Sequence, residues 1–277
     1  MLNYAPITLD KLYFDCVDEY GNAWIGYALN LRWLWFKVYV HQSLLSKKDA
    51  STEVQFVRAK KKGDIQLAPE ASRYKCGLFE IHARPLKTPP IVETLYTHHS
   101  KNVVWNCLHP NAILDVKLNG TAPFTGQGYV EQLSMTLPPW QLPIQVLHWG
   151  RFVSARHSLV WIRWQQQEGS TQWVFFNGKR QKHCDISSSH IHVKDENIHM
   201  DIRNPRTIVS GRPLENLSGK LGRIYRLMPS KLKQWEEVKW VAQGTLKLPQ
   251  QPEEEGWVIH EEVRLADHFG RGVLSTV

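Results

Sequence analysis

The sequence predicts an all-β protein built as two packed halves, and three observations carry that prediction. Short runs of alternating apolar and polar residues recur along the whole chain. Turn signals separate them every eight to twelve residues or so, the rhythm of barrels and sandwiches. No long amphipathic helix pattern intervenes. At the midpoint Pro138-Pro139-Trp140 and Pro143 interrupt the strands. That stretch is too short and too apolar for a flexible linker, so the expected halves are residues 1–138 and 139–277, packed tightly together.

In order, Leu12 to Asp18 runs into the turn Glu19-Tyr20-Gly21-Asn22 and then Ala23 to Trp33, an opening hairpin. Trp35 to Gln42 and Thr52 to Ala59 are the next two strands. Lys75 to Ala83 is a fifth, closed by Arg84-Pro85. Val92 to His98 and Asn102 to Leu108 follow. His109-Pro110-Asn111 marks a corner before Ala112 to Leu118, and Asn119-Gly120 turns the chain into the central strand, Gly126 to Leu137. The second half begins with Ile144 to Ser154 and His157 to Gln165, then Thr171 to Asn177 and a basic loop, Gly178 to Lys182. His190 to Val193, Ile198 to Ile202 and Thr207 to Gly211 read as short strands, with Gly222 to Pro229 a further candidate. Ser230 to Trp240 has the spacing of a short helix (Leu232, Trp235, Val238). Val241 to Leu248 and Gly256 to Leu265 close the chain around an acidic loop, Glu253-Glu254-Glu255.

An apolar share of 42% over 277 residues is enough for a sizeable core. The formal charge of +8 is diffuse, with a single run at Lys60-Lys61-Lys62, read as a solvated loop. Nucleic acid would require a basic stripe that the sequence does not display, and the same holds for strong attachment to an anionic membrane. The start, MLNYAPITLDKLYFD, has no basic-then-apolar signal pattern, and no run approaches the length of a membrane helix. The four cysteines, Cys16, Cys76, Cys107 and Cys184, are isolated and read as reduced thiols. The expected setting is cytoplasmic, at most peripheral at a membrane. Oligomeric state is not encoded legibly.

The chemistry concentrates between Trp105 and Val153. In Tyr129-Val130-Glu131-Gln132-Leu133-Ser134-Met135, side chains two apart share a face. Tyr129, Glu131, Leu133 and Met135 therefore point one way, and Glu131 is the one carboxylate on an apolar face. Such a group is either paired with a cation, Arg151 being the candidate, or held neutral as a proton donor. Either state requires a hydrogen bond. Gly126 and Gly128 permit a bulge at the strand entry. On the next strand Leu147, Trp149, Arg151 and Val153 share one face, with His148 and Phe152 on the other. His183, His190, His192 and His199 invite a metal reading, but their spacing fits no zinc pattern, so no metal is expected. There is neither a GxSxG elbow nor a phosphate-binding glycine loop.

These residues carry a resemblance. Trp105, the strand Ala112 to Leu118, Gly126-x-Gly128-Tyr129-x-Glu131 and Trp149-Gly150-Arg151 follow one another as in the carotenoid 1,2-hydratase (hydroxyneurosporene synthase) and AttH-like group, with tocopherol cyclase more distant. The closing Gly256-Trp257-Val258-Ile259-His260-Glu261 is similar to that group's last strand. The chain departs from the pattern in having Glu131 where the group commonly has Asp, and Gln132-Leu133-Ser134-Met135 in place of a His/Asn-Trp-Gly block. The resemblance implies two consecutive lipocalin-like antiparallel β-barrels. It also implies a lipophilic substrate (isoprenoid, polyene or polyketide-like) and acid-initiated, cofactor-free hydration, cyclisation or isomerisation.

The expected site follows. Glu131 is the acid, Tyr129 a hydrogen-bond donor or wall, and Arg151 and His148 are polar anchors. Trp105, Trp149, Trp140, His109 and Met135 line the substrate. A non-catalytic carrier of a hydrophobic molecule is the alternative. A glycan-processing protein is a third reading, and it lacks a convincing second acid.

Overall fold

A computed structural model describes residues 7–33, 36–119, 122–216, 226 and 228–265. The first half contributes β1 (Ile7–Val17), β2 (Ala23–Trp33), β3 (Phe36–Ser46), β4 (Glu53–Ala59), β5 (Asp64–Leu67), β6 (Ser72–Lys75), β7 (Phe79–Pro85), β8 (Ile91–His98), β9 (Lys101–Leu118) and β10 (Phe124–Met135). A 3-10 turn at Pro139–Gln141 leads to β11 (Val146–Val153), β12 (Ser158–Gln165), β13 (Ser170–Phe176), β14 (Lys179–Gln181), β15 (Cys184–Ile186), β16 (His190–Val193) and β17 (Ile198–Gly211). The short helices α1 (Pro213–Asn216) and α2 (Ser230–Lys233) precede β18 (Glu236–Lys247) and β19 (Glu254–Arg264). Among these residues no helix is long and apolar enough to cross a membrane.

The strands form two antiparallel sheets of one design. The first runs β4-β3-β2-β1-β10-β9-β7-β6-β5, with β8 added on β9; the second runs β14-β13-β12-β11-β19-β18-β17-β16-β15. In each, a meander returns so that its last strand pairs with its first, β10 with β1 and β19 with β11. The result is two consecutive lipocalin-like barrels. The register aligns them residue by residue: Val17 faces Gln127 and Asp15 faces Tyr129, as Val153 faces Trp257 and Arg151 faces Ile259. Both repeats need glycine at the same place. A Cβ on Gly126 would lie 2.6 Å from the Val17 carbonyl oxygen, and one on Gly256 would collide with that of Val153.

Alternation sorts most of the buried side chains into three cores, beside a small fourth cluster of Val38, Val40 and Phe56. Phe14, Cys16, Trp24, Tyr74, Phe79 and Val130 fill the first barrel. Phe152, Trp161, Val174, Met200 and Val258 fill the second. The opposite faces of the same strands meet between the barrels, where Tyr13, Trp105, Tyr129, Trp149, Phe175, Val241 and Ile259 form one cluster. Each such buried aromatic or aliphatic side chain contributes about 1.5–3 kcal/mol, so this third core holds the halves together.

Several elements differ from the sequence reading. The expected corner at His109-Pro110-Asn111 lies inside one long strand, β9. Two register shifts against β10, between Gly128 and Val130 and between Val130 and Glu131, absorb the extra residues there. The glycines thus sit beside the irregularity, but the bulge is on the partner strand, where Pro110 donates no ladder hydrogen bond. Likewise Ile198 to Ile202 and Thr207 to Gly211 are one bulged strand, β17. The expected fifth strand, Lys75 to Ala83, is split by a turn at Gly77 between β6 and β7, and β5 was not anticipated. The basic loop Gly178 to Lys182 contains β14, and the helix expected over Ser230 to Trp240 stops at Lys233. From Glu236 the chain pairs with β19, and tertiary pairing overrides the helical spacing. Trp35 and most of the candidate strand Gly222 to Pro229 lie outside the described residues.

Candidate active site between the barrels

β1 and β10 face β11 and β19 across the third core. Equivalent positions of the two repeats touch, as at a two-fold interface. Asp15 meets Arg151: the guanidinium Nε donates to Asp15 Oδ1 at 2.9 Å, NH2 donates to the same oxygen, and NH1 donates to the Trp257 carbonyl at 2.8 Å. Both side chains are fully buried. Burial pushes the Asp15 carboxyl up and Arg151 opposes that shift. Tyr13 meets Trp149 edge to face, with ring centroids 5.1 Å apart. Tyr27 and Tyr129 complete the cage, Tyr27 at 5.2 Å from Tyr13 and Tyr129 at 5.5 Å from Trp149.

Glu131 stands at the edge of this cage and is only 4% exposed. It is not bonded to Arg151, which Asp15 and the Trp257 carbonyl occupy. Its partners are two neutral donors, the Tyr129 hydroxyl at 2.8 Å and the Trp105 indole N–H. Both fall on Oε2, and Oε1 has no hydrogen bond among the described residues. Burial holds the hydroxyls of Tyr13, Tyr27 and Tyr129 well above the usual tyrosine range, so all three are neutral near pH 7. The neighbouring Cys107 thiol is raised in the same way.

The opposing repeat carries Lys239, Glu237 and Glu261. Lys239 is 3% exposed and its ammonium bridges Glu237, at 2.5 Å, and Glu261. It also lies 5.7 Å from the Tyr27 ring centroid. Burial lowers the Lys239 amine, against the pull of Glu237 and also of Glu131, so this buried cation acts on Glu131 from across the interface without bonding it.

The remaining expected residues divide. Trp105, Tyr129, Glu131 and Trp149 are brought together. Met135 shares their core but sits four residues along β10 from Glu131, about 13 Å at strand spacing. His148 is on the other face of β11, where Nδ1 lies 3.7 Å from Glu262; burial lowers its imidazole. His109 turns away, with Nε2 at 2.8 Å from the Ser72 hydroxyl. Trp140 packs on Trp33 at 5.8 Å. Among the described residues no group of three His, Cys, Asp or Glu side chains is arranged to hold a metal ion. His192 and His199 stack at 4.0 Å, and His183 pairs with Asp195.

Asp15, Tyr13 and Lys239 were missed. Asp15 had the same signal as Glu131, a carboxylate on the apolar face Tyr13, Asp15, Val17. Lys239 was hidden by the helical reading of its segment; in strand phase it shares a face with Val241.

No family model and no curated sequence matches the chain. Solved structures do. An AttH candidate from Nitrosomonas europaea superposes with a TM-score of 0.55 at 9% identity, covering 95% of this chain and 93% of that one. Kievitone hydratase from Nectria haematococca gives 0.53 at 9%, covering 94% and 89%. CghA, solved with Sch210972, gives 0.60 at 10%, covering 95% and 89%. The chain thus shares its two-barrel fold with these three proteins.

Proposed function

We propose that the chain is a cofactor-independent enzyme acting on a lipophilic molecule at the inter-barrel centre, with Glu131 as general acid in a hydration, cyclisation or isomerisation. The observation that carries this reading is the hydrogen bonding of Glu131. Two neutral donors hold Oε2 and no cation bonds the carboxyl, which leaves Oε1 as the oxygen open to a substrate. Positioned proton transfer of this kind accelerates reactions by about 10²–10⁴-fold. The faces of Tyr13, Tyr27, Tyr129 and Trp149 are suited to a developing cation, at about 0.5–2 kcal/mol per good contact. An AttH candidate, a hydratase and a protein solved with a small molecule share the fold, which agrees with this reading.

The rings fill the centre, so substrate entry requires them to part. The cleft at the mouth of the first barrel, lined by Asp10, Asn30, Tyr39, His41 and Lys62, includes none of the groups around Glu131.

The test is mass spectrometry of small molecules extracted from purified wild type and Glu131→Gln. A lipophilic molecule that differs between the two samples supports catalysis. The same molecule in both, with no turnover by either, overturns the enzyme reading in favour of a carrier.

A further inference from the structure

The mouth of the first barrel is a cleft of about 310 Å³, part of it open to solvent. β1, β2, β3 and β10 contribute Asp10, Asn30, His41 and Gln132 to its lining, and the loop between β4 and β5 contributes Lys62. Two polar atoms of these side chains are buried without a hydrogen-bond partner, His41 Nδ1 and Asn30 Oδ1. His41 is only 3% exposed. An unpaired buried polar atom is costly, and such atoms are rare unless a ligand or an ordered water satisfies them. The register makes the two neighbours on one face: Asn30 pairs with Tyr39, and His41 is two residues along β3 from Tyr39. Diagonal neighbours of this kind lie roughly 7–8 Å apart at the backbone, a gap that one small group spans.

The other side of the His41 ring fixes what Nδ1 asks for. Nε2 lies 3.0 Å from the Tyr74 hydroxyl. Burial keeps that hydroxyl protonated and keeps the imidazole neutral. A backbone hydrogen bond from Gly63 already reaches the Tyr74 oxygen, and His41 Nε2 is the acceptor beside its proton. The hydroxyl therefore donates to Nε2, and the ring proton sits on Nδ1. His41 Nδ1–H then needs an acceptor and Asn30 Oδ1 needs a donor. A hydroxyl group is both at once. Asp10 and Gln132 add further acceptor and donor positions around the same cleft. Asp10 and Lys62 carry opposite charges, so the lining selects for neither an anion nor a cation. The second repeat lacks the equivalent space-makers: His148 and Arg163 stand where the first has Leu12 and Ala28.

We propose that the mouth of the first barrel is a second binding site, for a small neutral polyhydroxy compound, one of whose hydroxyls accepts from His41 Nδ1–H and donates to Asn30 Oδ1. The site is separate from the inter-barrel centre and does not depend on the role of Glu131. Tyr74 is a positioning residue there, because it sets which ring nitrogen of His41 carries the proton.

The experiment is nitrogen-15 NMR of the histidine side chains in the full chain, titrated with two polyols, glycerol and methyl α-D-glucopyranoside, and with the fully O-methylated form of each. The methyl ethers keep the acceptor oxygens and lose every hydroxyl proton. His41 should appear as the neutral Nδ1–H form, and its Nδ1 signal should move with at least one polyol. Wild type should bind that polyol at least about tenfold more tightly than its ether. A response to glycerol alone identifies a short polyol as the ligand type, and a stronger response to the glucoside identifies a sugar. Asn30→Leu, at a partly exposed position, should lose most of the preference over the ether. Tyr74→Phe, which keeps the ring in the core, should spread the proton over both nitrogens of His41 and weaken binding several-fold. His41 found as the Nε2–H form overturns the proposal. So does equal binding of polyol and ether. A His41 signal that no polyol moves shows an ordered water only and overturns it as well.

Discussion

Glu131 and Glu261 occupy the same position of the two barrels and have different bonding partners. Each is two residues beyond the position facing Asp15 or Arg151, and each faces the neighbouring strand at matched places, Glu131 at Cys107 and Glu261 at Lys239. Trp105 in the first repeat corresponds to Glu237 in the second. In the second barrel a buried ammonium lies between two carboxylates. In the first, a thiol and an indole take the corresponding places, only neutral donors bond the acid, and Lys239 acts on it from a distance. One backbone frame has thus made a fixed ion cluster on one side and a carboxyl free of any bonded cation on the other. The difference shows that the fold does not dictate chemistry at this position; three side chains around it do.

Converting one side into the other is the sharpest test. Cys107→Lys places an ammonium beside Glu131 as Lys239 stands beside Glu261. If Glu131 is the acid, turnover should fall by about 10²–10⁴-fold, because the carboxyl is then held ionised; a purification that retains ligand and activity would break the comparison. The next largest effect is expected from Lys239→Met, which leaves Glu237 and Glu261 buried without their cation. Denaturant unfolding should show a loss of about 3–5 kcal/mol. Glu131→Gln should cost under about 1 kcal/mol in the same assay, since an amide oxygen accepts both existing bonds.

A third difference is titratable. His260 occupies the position equivalent to Val130 and stacks on Trp240 at 4.8 Å, and burial with the nearby His148 lowers its imidazole to about 4. Its folded value lies below the ordinary one near 6.5, so the fold prefers the neutral ring. The stability this provides is fully present above about pH 6.5. It declines as the pH falls from there toward 4, by roughly 3 kcal/mol in all. His260→Val, which copies the first barrel, should flatten that part of the stability-against-pH curve. An unchanged slope would assign the acid sensitivity elsewhere. Tyr129→Phe removes one of the two donors on Oε2 and should cost about 1 kcal/mol in thermal or chemical unfolding.

Much of this was legible in the chain. Period-two alternation marked Val130 for one face and Tyr129 and Glu131 for the other, because neighbouring side chains on a strand must point to opposite sides of the sheet. It likewise separated Trp149 and Arg151 from His148. The proline-rich midpoint lies between the two sheets. What alternation reports is local, and it fails where pairing compensates an irregularity. Pro110 and Pro205 look like strand ends in sequence and lie within bulged strands in the fold. Lys239 looks helical and is held in β18 by β19.

The partner of a buried charge is decided elsewhere. That Glu131 needed a partner followed from the sequence, since a carboxylate on an apolar face cannot stand alone. That Arg151 would go to Asp15, 136 positions away, and not to Glu131 depends on how the barrels meet. Their pseudo-two-fold contact sets β1 against β11 and so brings equivalent residues together. The strand pattern of each half carries no information about that docking; the shape and charge of the two finished surfaces select it, and they exist only once both barrels have formed.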